Sequence, residues 1–177
     1  TDAENLIVTV TDEAGHTGVG GAAPSKHYGE TADTVAAVLS DLLADVESVG
    51  DPHALEQIET RMRSTVADNP AARCAVSIAM WDLAAKRVDL PLYRLWGLDP
   101  SATPVTSFTV GIDTTARMHE KAAAAAEAGY SVLKVKLGGD RDREIVEAVR
   151  DAAPAATLRV DANEAWTPRE AVMKSGW

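Results

Sequence analysis

Val132-Leu133-Lys134-Val135-Lys136-Leu137-Gly138-Gly139 alternates apolar residues with two lysines and stops at a glycine pair. Side chains alternate across a β-strand, so Leu133, Val135 and Leu137 share one face and Lys134 and Lys136 the other. The apolar face is suited to a covering of helices, and the flanking sequence supplies them. Upstream, residues 105–110 read as a strand and 114–128 as an alanine-rich helix ended by Gly129. Downstream, residues 141–152 read as a helix and 157–161 as a strand. Thr167-Pro168-Arg169-Glu170 then carries the N-cap, N1 proline and N3 glutamate of a capping box. Strands that alternate with helices build βαβ units and a parallel sheet. Such a sheet needs both faces covered, and only three strands are present, so the segment is expected to be the front part of a longer protein.

The pattern changes at Asp99-Pro100-Ser101-Ala102-Thr103-Pro104, a plausible boundary by its proline and serine content, which gives expected domains at 1–103 and 104–177. In the first, residues 6–10 and 19–23 read as a hairpin turned by Asp12-Glu13-Ala14-Gly15, followed by a loop at 24–29. A two-stranded hairpin is marginal alone, so a further strand is expected upstream of Thr1. Residues 31–47 have helical spacing. Asp51-Pro52 is expected to be the N-cap and N1 of a second helix, with Leu55, Ile58, Met62 and Val66 on its apolar face. Asn69-Pro70 repeats that start signal. Residues 71–88 are apolar almost all round, which predicts a buried helix with Cys74 in the core, and 90–97 reads as a short helix ended by Gly97.

Composition narrows the function classes. Hydrophobic residues are 46% and charged residues 25%, the balance of a globular chain. Net charge is −10, from 17 Lys and Arg against 27 Asp and Glu, which opposes non-specific binding to nucleic acid or an anionic membrane. One cysteine rules out an internal disulfide and fits a reducing, cytoplasmic location. Thr1-Asp2-Ala3-Glu4 shows no basic region leading into an apolar core, and no apolar run is long enough to span a bilayer. The four histidines lack metal-ligand spacing, and Gly138-Gly139 lacks a phosphate-binding pattern.

Chemistry gathers on the polar strand faces. Lys134 and Lys136 lie within roughly 7 Å of each other along one face, where like charges make a proton easier to lose. A lysine of that kind serves as a base near neutral pH; a half-exposed strand with solvated lysines is the plainer alternative. Leu158-Arg159-Val160-Asp161-Ala162-Asn163 repeats the alternation, with Arg159 and Asp161 inward and Asp161 at the strand's C-terminal end, where barrel active sites lie. An aspartate there, with an amide beside it, suits a hard cation such as Mg²⁺, or else simply caps the following loop. Trp166 is placed near the barrel mouth.

Several segments together resemble the enolase superfamily. Trp81-Asp82-Leu83-Ala84-Ala85-Lys86 and Leu90-Pro91-Leu92-Tyr93-Arg94-Leu95-Trp96-Gly97 are similar to the last helices of its capping domain. Lys134-Val135-Lys136 resembles the K-x-K motif of the muconate-lactonizing-enzyme-like subgroup, and Asp161-Ala162-Asn163 its D-x-N motif. Phe108-Thr109-Val110-Gly111-Ile112-Asp113 and Asp161-Ala162-Asn163-Glu164-Ala165-Trp166 are most similar to dipeptide epimerases of the L-Ala-D/L-Glu type.

The resemblance implies an α+β capping domain followed by the first βα units of a modified TIM barrel. It implies Lys136 as general base on one substrate face and Lys134 tuning it near the substrate carboxylate. Asp161 is implied as the first of three acidic Mg²⁺ ligands with Asn163 in support, Thr109 as a substrate contact, and the 24–29 loop as a cover over the site. An α-proton beside a carboxylate is very weakly acidic, so Mg²⁺ would stabilise the enediolate while lysine removes the proton. Muconate cycloisomerase, N-acylamino acid racemase and o-succinylbenzoate synthase share these motifs and remain open. The other two metal ligands, the opposing base and the specificity residues are expected beyond Trp177, so this stretch is expected to be half a site, inactive alone. The implied partner is a small carboxylate such as a dipeptide, with homo-oligomerisation open.

Overall fold

A computed structural model describes residues 4–176. The chain divides into two compact units, Thr1–Ser101 and Ala102–Trp177. In the first, β1 (Leu6–Thr11) and β2 (Thr17–Ala22) form an antiparallel hairpin, in register from Leu6 opposite Ala22 to Thr11 opposite Thr17. Four helices follow: α1 (Ala32–Val49), α2 (Leu55–Thr65), α3 (Pro70–Arg87) and α4 (Leu92–Leu95). The hairpin lies on α3 at very short range. A Cβ on Gly18 would stand 1.9 Å from the Ala79 carbonyl oxygen, and one on Gly20 1.9 Å from that of Ala75. Glycines on the strand and alanines on the helix are what let the two backbones meet. Val8, Val35, Leu42, Ile58, Met62, Met80 and Leu83 complete this core. Glu30, buried, receives the Ala71 amide at 3.0 Å and so caps α3.

In this unit the structure departs from two expectations. Asp51-Pro52 does not open α2, whose N-cap is Ala54. Asp51 instead folds a tight turn, its Oδ1 accepting the His53 amide at 2.9 Å and its carbonyl the Ala54 amide at 3.1 Å, so turn chemistry wins over capping. Cys74 is exposed rather than in the core. The buried face of α3 runs through Ala72, Ala75, Val76, Ala79, Met80 and Leu83, while Cys74 and Ile78 sit a turn apart on the other side, with Ile78 45% exposed.

The second unit contains β3 (Ser107–Val110), α5 (Thr115–Glu127), β4 (Val132–Lys136), α6 (Asp142–Ala152), β5 (Thr157–Asp161) and α7 (Pro168–Lys174). Its three strands form a parallel sheet in the order β3-β4-β5. The first begins at Ser107 rather than 105, with Val105 outside the ladder. Leu133, Val135 and Leu137 are buried under Met118, Ala122 and Ala125 of α5 and Ile145 and Val149 of α6. The helices of this unit cover the apolar face, and Lys134 and Lys136 on the other face of β4 stay partly exposed. Thr167 and Glu170 form the capping box that starts α7.

Candidate active site

Register assembles the site. Thr109 stands opposite Lys134, Lys134 opposite Arg159, and Lys136 opposite Asp161. Residues opposite each other in a sheet share a face, so Thr109, Lys134 and Arg159 form one row and Lys136 and Asp161 the next, nearer the strands' C-terminal ends. Asp161 is the meeting point. Its Oδ2 lies 2.8 Å from Lys134 Nζ and 2.7 Å from Lys136 Nζ, and its Oδ1 accepts the Asn163 amide at 2.9 Å. Lys136 also donates to Asn163 Oδ1 at 2.6 Å. The three charged side chains remain 25–39% exposed, open enough for a ligand to reach.

Lys134, Lys136 and the Asn163 amide together hold the Asp161 carboxyl far below the ordinary carboxylate range. The repulsion between two neighbouring ammonium groups, which the strand pattern alone implies, is therefore offset by an anion held between them. Asn163 and Glu164 follow at φ 45° and 68°, in the left-handed region that glycine favours. That turn points the Asn163 amide oxygen back at Lys136.

Asp161 provides one hard oxygen of the kind Mg²⁺ takes, and Asn163 a second of amide type. Among the described residues no group of three or more His, Cys, Asp or Glu is placed to hold a metal ion. The donor set therefore fits a hard divalent cation as part of a shell, not as a complete cage. Gly138 and Gly139 offer no phosphate cradle, because both amides donate to Asp142 Oδ1 at 2.8 Å.

Asp142 is the residue the sequence analysis missed. It is buried, and its Oδ2 accepts from Trp166 Nε1 and Lys174 Nζ, each at 2.8 Å. Burial raises its pKa, but Lys174, the two glycine amides and the Trp166 indole outweigh that and hold it at about 2. An aspartate three residues after a Gly-Gly pair, at the start of a strongly amphipathic helix, is the signal that could have found it.

Comparison with known proteins adds the family. Residues 1–97 match the mandelate racemase/muconate lactonizing enzyme N-terminal domain, and residues 117–174 the enolase C-terminal domain-like family. The chain belongs to the mandelate racemase/muconate lactonizing enzyme family. Within it, the chain is 38% identical over 156 residues to the L-Ala-D/L-Glu epimerase of Bacteroides thetaiotaomicron, covering 88% of this chain and 40% of that protein. It is 35% identical over 175 residues to the hydrophobic dipeptide epimerase of Enterococcus faecalis, covering 96% of this chain and 49% of that one. The crystal structure of the dipeptide epimerase of Cytophaga hutchinsonii, complexed with Mg and D-Ala-L-Val, superposes with a TM-score of 0.80 at 31% identity, covering 96% of this chain and 47% of that one. The chain thus spans about half the length of the relatives it matches. The capping-type α+β unit and the parallel βα units are those of enolase-superfamily epimerases. No described helix is long and apolar enough to cross a membrane.

Proposed function

We propose that the full-length protein is a Mg²⁺-dependent epimerase of dipeptides of the L-Ala-D/L-Glu type, acting at the α-carbon beside the substrate carboxylate. The observation that carries this reading is the convergence of Lys134, Lys136 and Asp161 at one end of adjacent parallel strands. In this reading residues 1–103 are the capping domain and 104–177 the first part of the barrel, in a cytoplasmic enzyme with a small-molecule partner.

Each side chain has a task. Lys136 Nζ takes the α-proton from one face of the substrate; to do so its ammonium first releases one proton to solvent water and leaves the Asp161 pair. Lys134, one row deeper on the same face, keeps a positive charge beside the substrate carboxylate. Thr109, opposite Lys134, lines the substrate side of that row. Asn163 holds the Lys136 ammonium by its amide oxygen. Asp161, with Asn163 in support, would be a ligand of Mg²⁺, which when bound supplies the positive charge that stabilises an anion at the substrate carboxylate. The proton returned to the other face comes from a second acid, which the family resemblance assigns to a further barrel strand.

The experiment is to incubate the full-length protein with L-Ala-L-Glu and with apolar dipeptides while titrating Mg²⁺. Epimerisation that saturates with Mg²⁺ is expected. It should be abolished in Asp161→Ala and reduced less in Asn163→Ala. Metal-independent turnover, or near-normal turnover of Asp161→Ala at low Mg²⁺, would overturn the metal assignment, and no epimerisation of any dipeptide would overturn the substrate class.

A further inference from the structure

The four donors to Asp142 come from three separate pieces of chain. Gly138 and Gly139 belong to the turn after β4, Trp166 to the loop after β5, and Lys174 to α7. Asp142 is 2% exposed, so all of its hydrogen-bonding capacity is spent inside the protein. Lys174 Nζ also lies 4.9 Å from the centroid of the Trp166 ring, which holds the indole from a second direction. The two loops touch directly as well: Leu137 donates its amide to the Asp161 carbonyl at 3.0 Å, and a Cβ on Gly138 would stand 2.9 Å from the Ala165 Cβ.

Between Asp161 and Trp166 lie the two left-handed residues, Asn163 and Glu164. Consecutive non-glycine residues in that region are strained and persist only where the surroundings hold them. One end of the strained turn is anchored by β5, in register with β4. The other end is anchored by the Trp166 indole on Asp142. The group carried by the turn is the amide oxygen 2.6 Å from Lys136 Nζ.

We propose that Asp142 is a positioning residue for Lys136: by gripping Trp166 it holds the strained 163–164 turn, and with it the amide that fixes the Lys136 ammonium. The proposal rests on Lys136 being the base for one substrate face. It differs from a general stabilising role in one observable respect. Asp161, the charged metal ligand of that reading, stays held in the β5 ladder, so loss of the grip disturbs the proton transfer served by Lys136 and spares the transfer on the opposite face.

The test follows α-proton exchange of each dipeptide epimer in D₂O by proton NMR, in the full-length protein with Mg²⁺. Lys136→Ala identifies the epimer that depends on Lys136. Asp142→Asn keeps the size of the side chain but turns an amide NH₂ toward its donors. It is expected to slow exchange of that epimer about a hundredfold, the scale of an ångström-sized misplacement at a reacting group. Trp166→Phe keeps an aromatic side chain, removes the indole donor, and is expected to slow the same epimer about tenfold. Exchange of the other epimer should stay within about threefold in both variants. Equal losses for the two epimers, or no loss in a folded variant, would overturn the proposal. If Asp142→Asn does not fold, Trp166→Phe decides by the same criterion. Normal exchange of both epimers in Lys136→Ala would overturn the base assignment and the proposal with it. Selective loss in Lys136→Ala without selective loss in the other two variants overturns the proposal alone.

Discussion

Each unit contains an aspartate that receives a lysine and a backbone amide, and the two sites put the same groups to different ends. In the first unit, Asp82 Oδ2 accepts from the Val19 amide at 2.9 Å and from Lys86 Nζ at 2.6 Å, while Lys86 also donates to the Thr17 carbonyl at 2.8 Å. Burial works against ionisation of Asp82, and Lys86 with the Val19 amide more than compensates, leaving its pKa lowered. Both side chains spend their capacity on β2, so the pair is a staple between hairpin and helix. In the second unit, Asp161 gathers two ammonium groups on the strand face opposite the buried apolar one. The parallel ladder already holds β4 and β5, and exposed ion pairs add only about 0–1 kcal/mol each. Charge beyond what the fold requires, converging at one place, distinguishes Asp161 from the stapling Asp82.

The largest effect expected from that contrast lies in the first unit. Gly20→Val should prevent the hairpin from docking on α3, because a Cβ there meets the Ala75 carbonyl at 1.9 Å. A loss above about 4 kcal/mol is expected, seen as absent cooperative unfolding of this unit by circular dichroism in urea. A normal transition would mean that the close packing is not needed. Next comes acid stability. Asp142 titrates at about 2 in the folded protein against an ordinary value of 3.8, so the folded state binds fewer protons between those limits. Its contribution is fully present above pH about 4 and is lost as pH falls toward about 2, on the order of 2 kcal/mol in all. Urea midpoints measured across that window should fall for the native protein and stay flatter for Asp142→Asn. Smaller again, Asp82→Asn should cost about 1 kcal/mol by weakening the staple. The smallest change in stability is expected for Lys136→Met, within about 1 kcal/mol of the native protein, although it should abolish turnover. A large loss of stability in Lys136→Met would make Asp161 a structural hub like Asp82.

Much of this architecture was legible from alternation alone. Leu133, Val135 and Leu137 against Lys134 and Lys136 gave the strand, its two faces and the helices needed to cover one of them, because a period of two has few other meanings. Lys134, Lys136, Asp161 and Asn163 come together as their spacing on successive strands implied. What was not legible depends on contacts between segments distant in sequence. Asp142 reads as an ordinary first-turn acid until Trp166 and Lys174 are brought to it. Cys74 looks apolar in a run of apolar residues, and only the docking of β2 on Ala75 and Ala79 fixes which side of α3 is buried. Asp51-Pro52 carries both a cap signal and a turn signal, and local hydrogen bonding within 51–54 selects the turn.

The most direct test of the central claim is α-proton exchange in D₂O, followed separately for each dipeptide epimer, with Lys136→Ala and Lys134→Ala in the full-length protein. Lys136→Ala should end net epimerisation and exchange of one epimer, while the other still exchanges through the opposing base. Lys134→Ala should slow both, because Lys134 acts on the carboxylate that the two epimers share. Exchange of both epimers at the native rate in folded Lys136→Ala would contradict the account and leave the two lysines as solvated partners of Asp161.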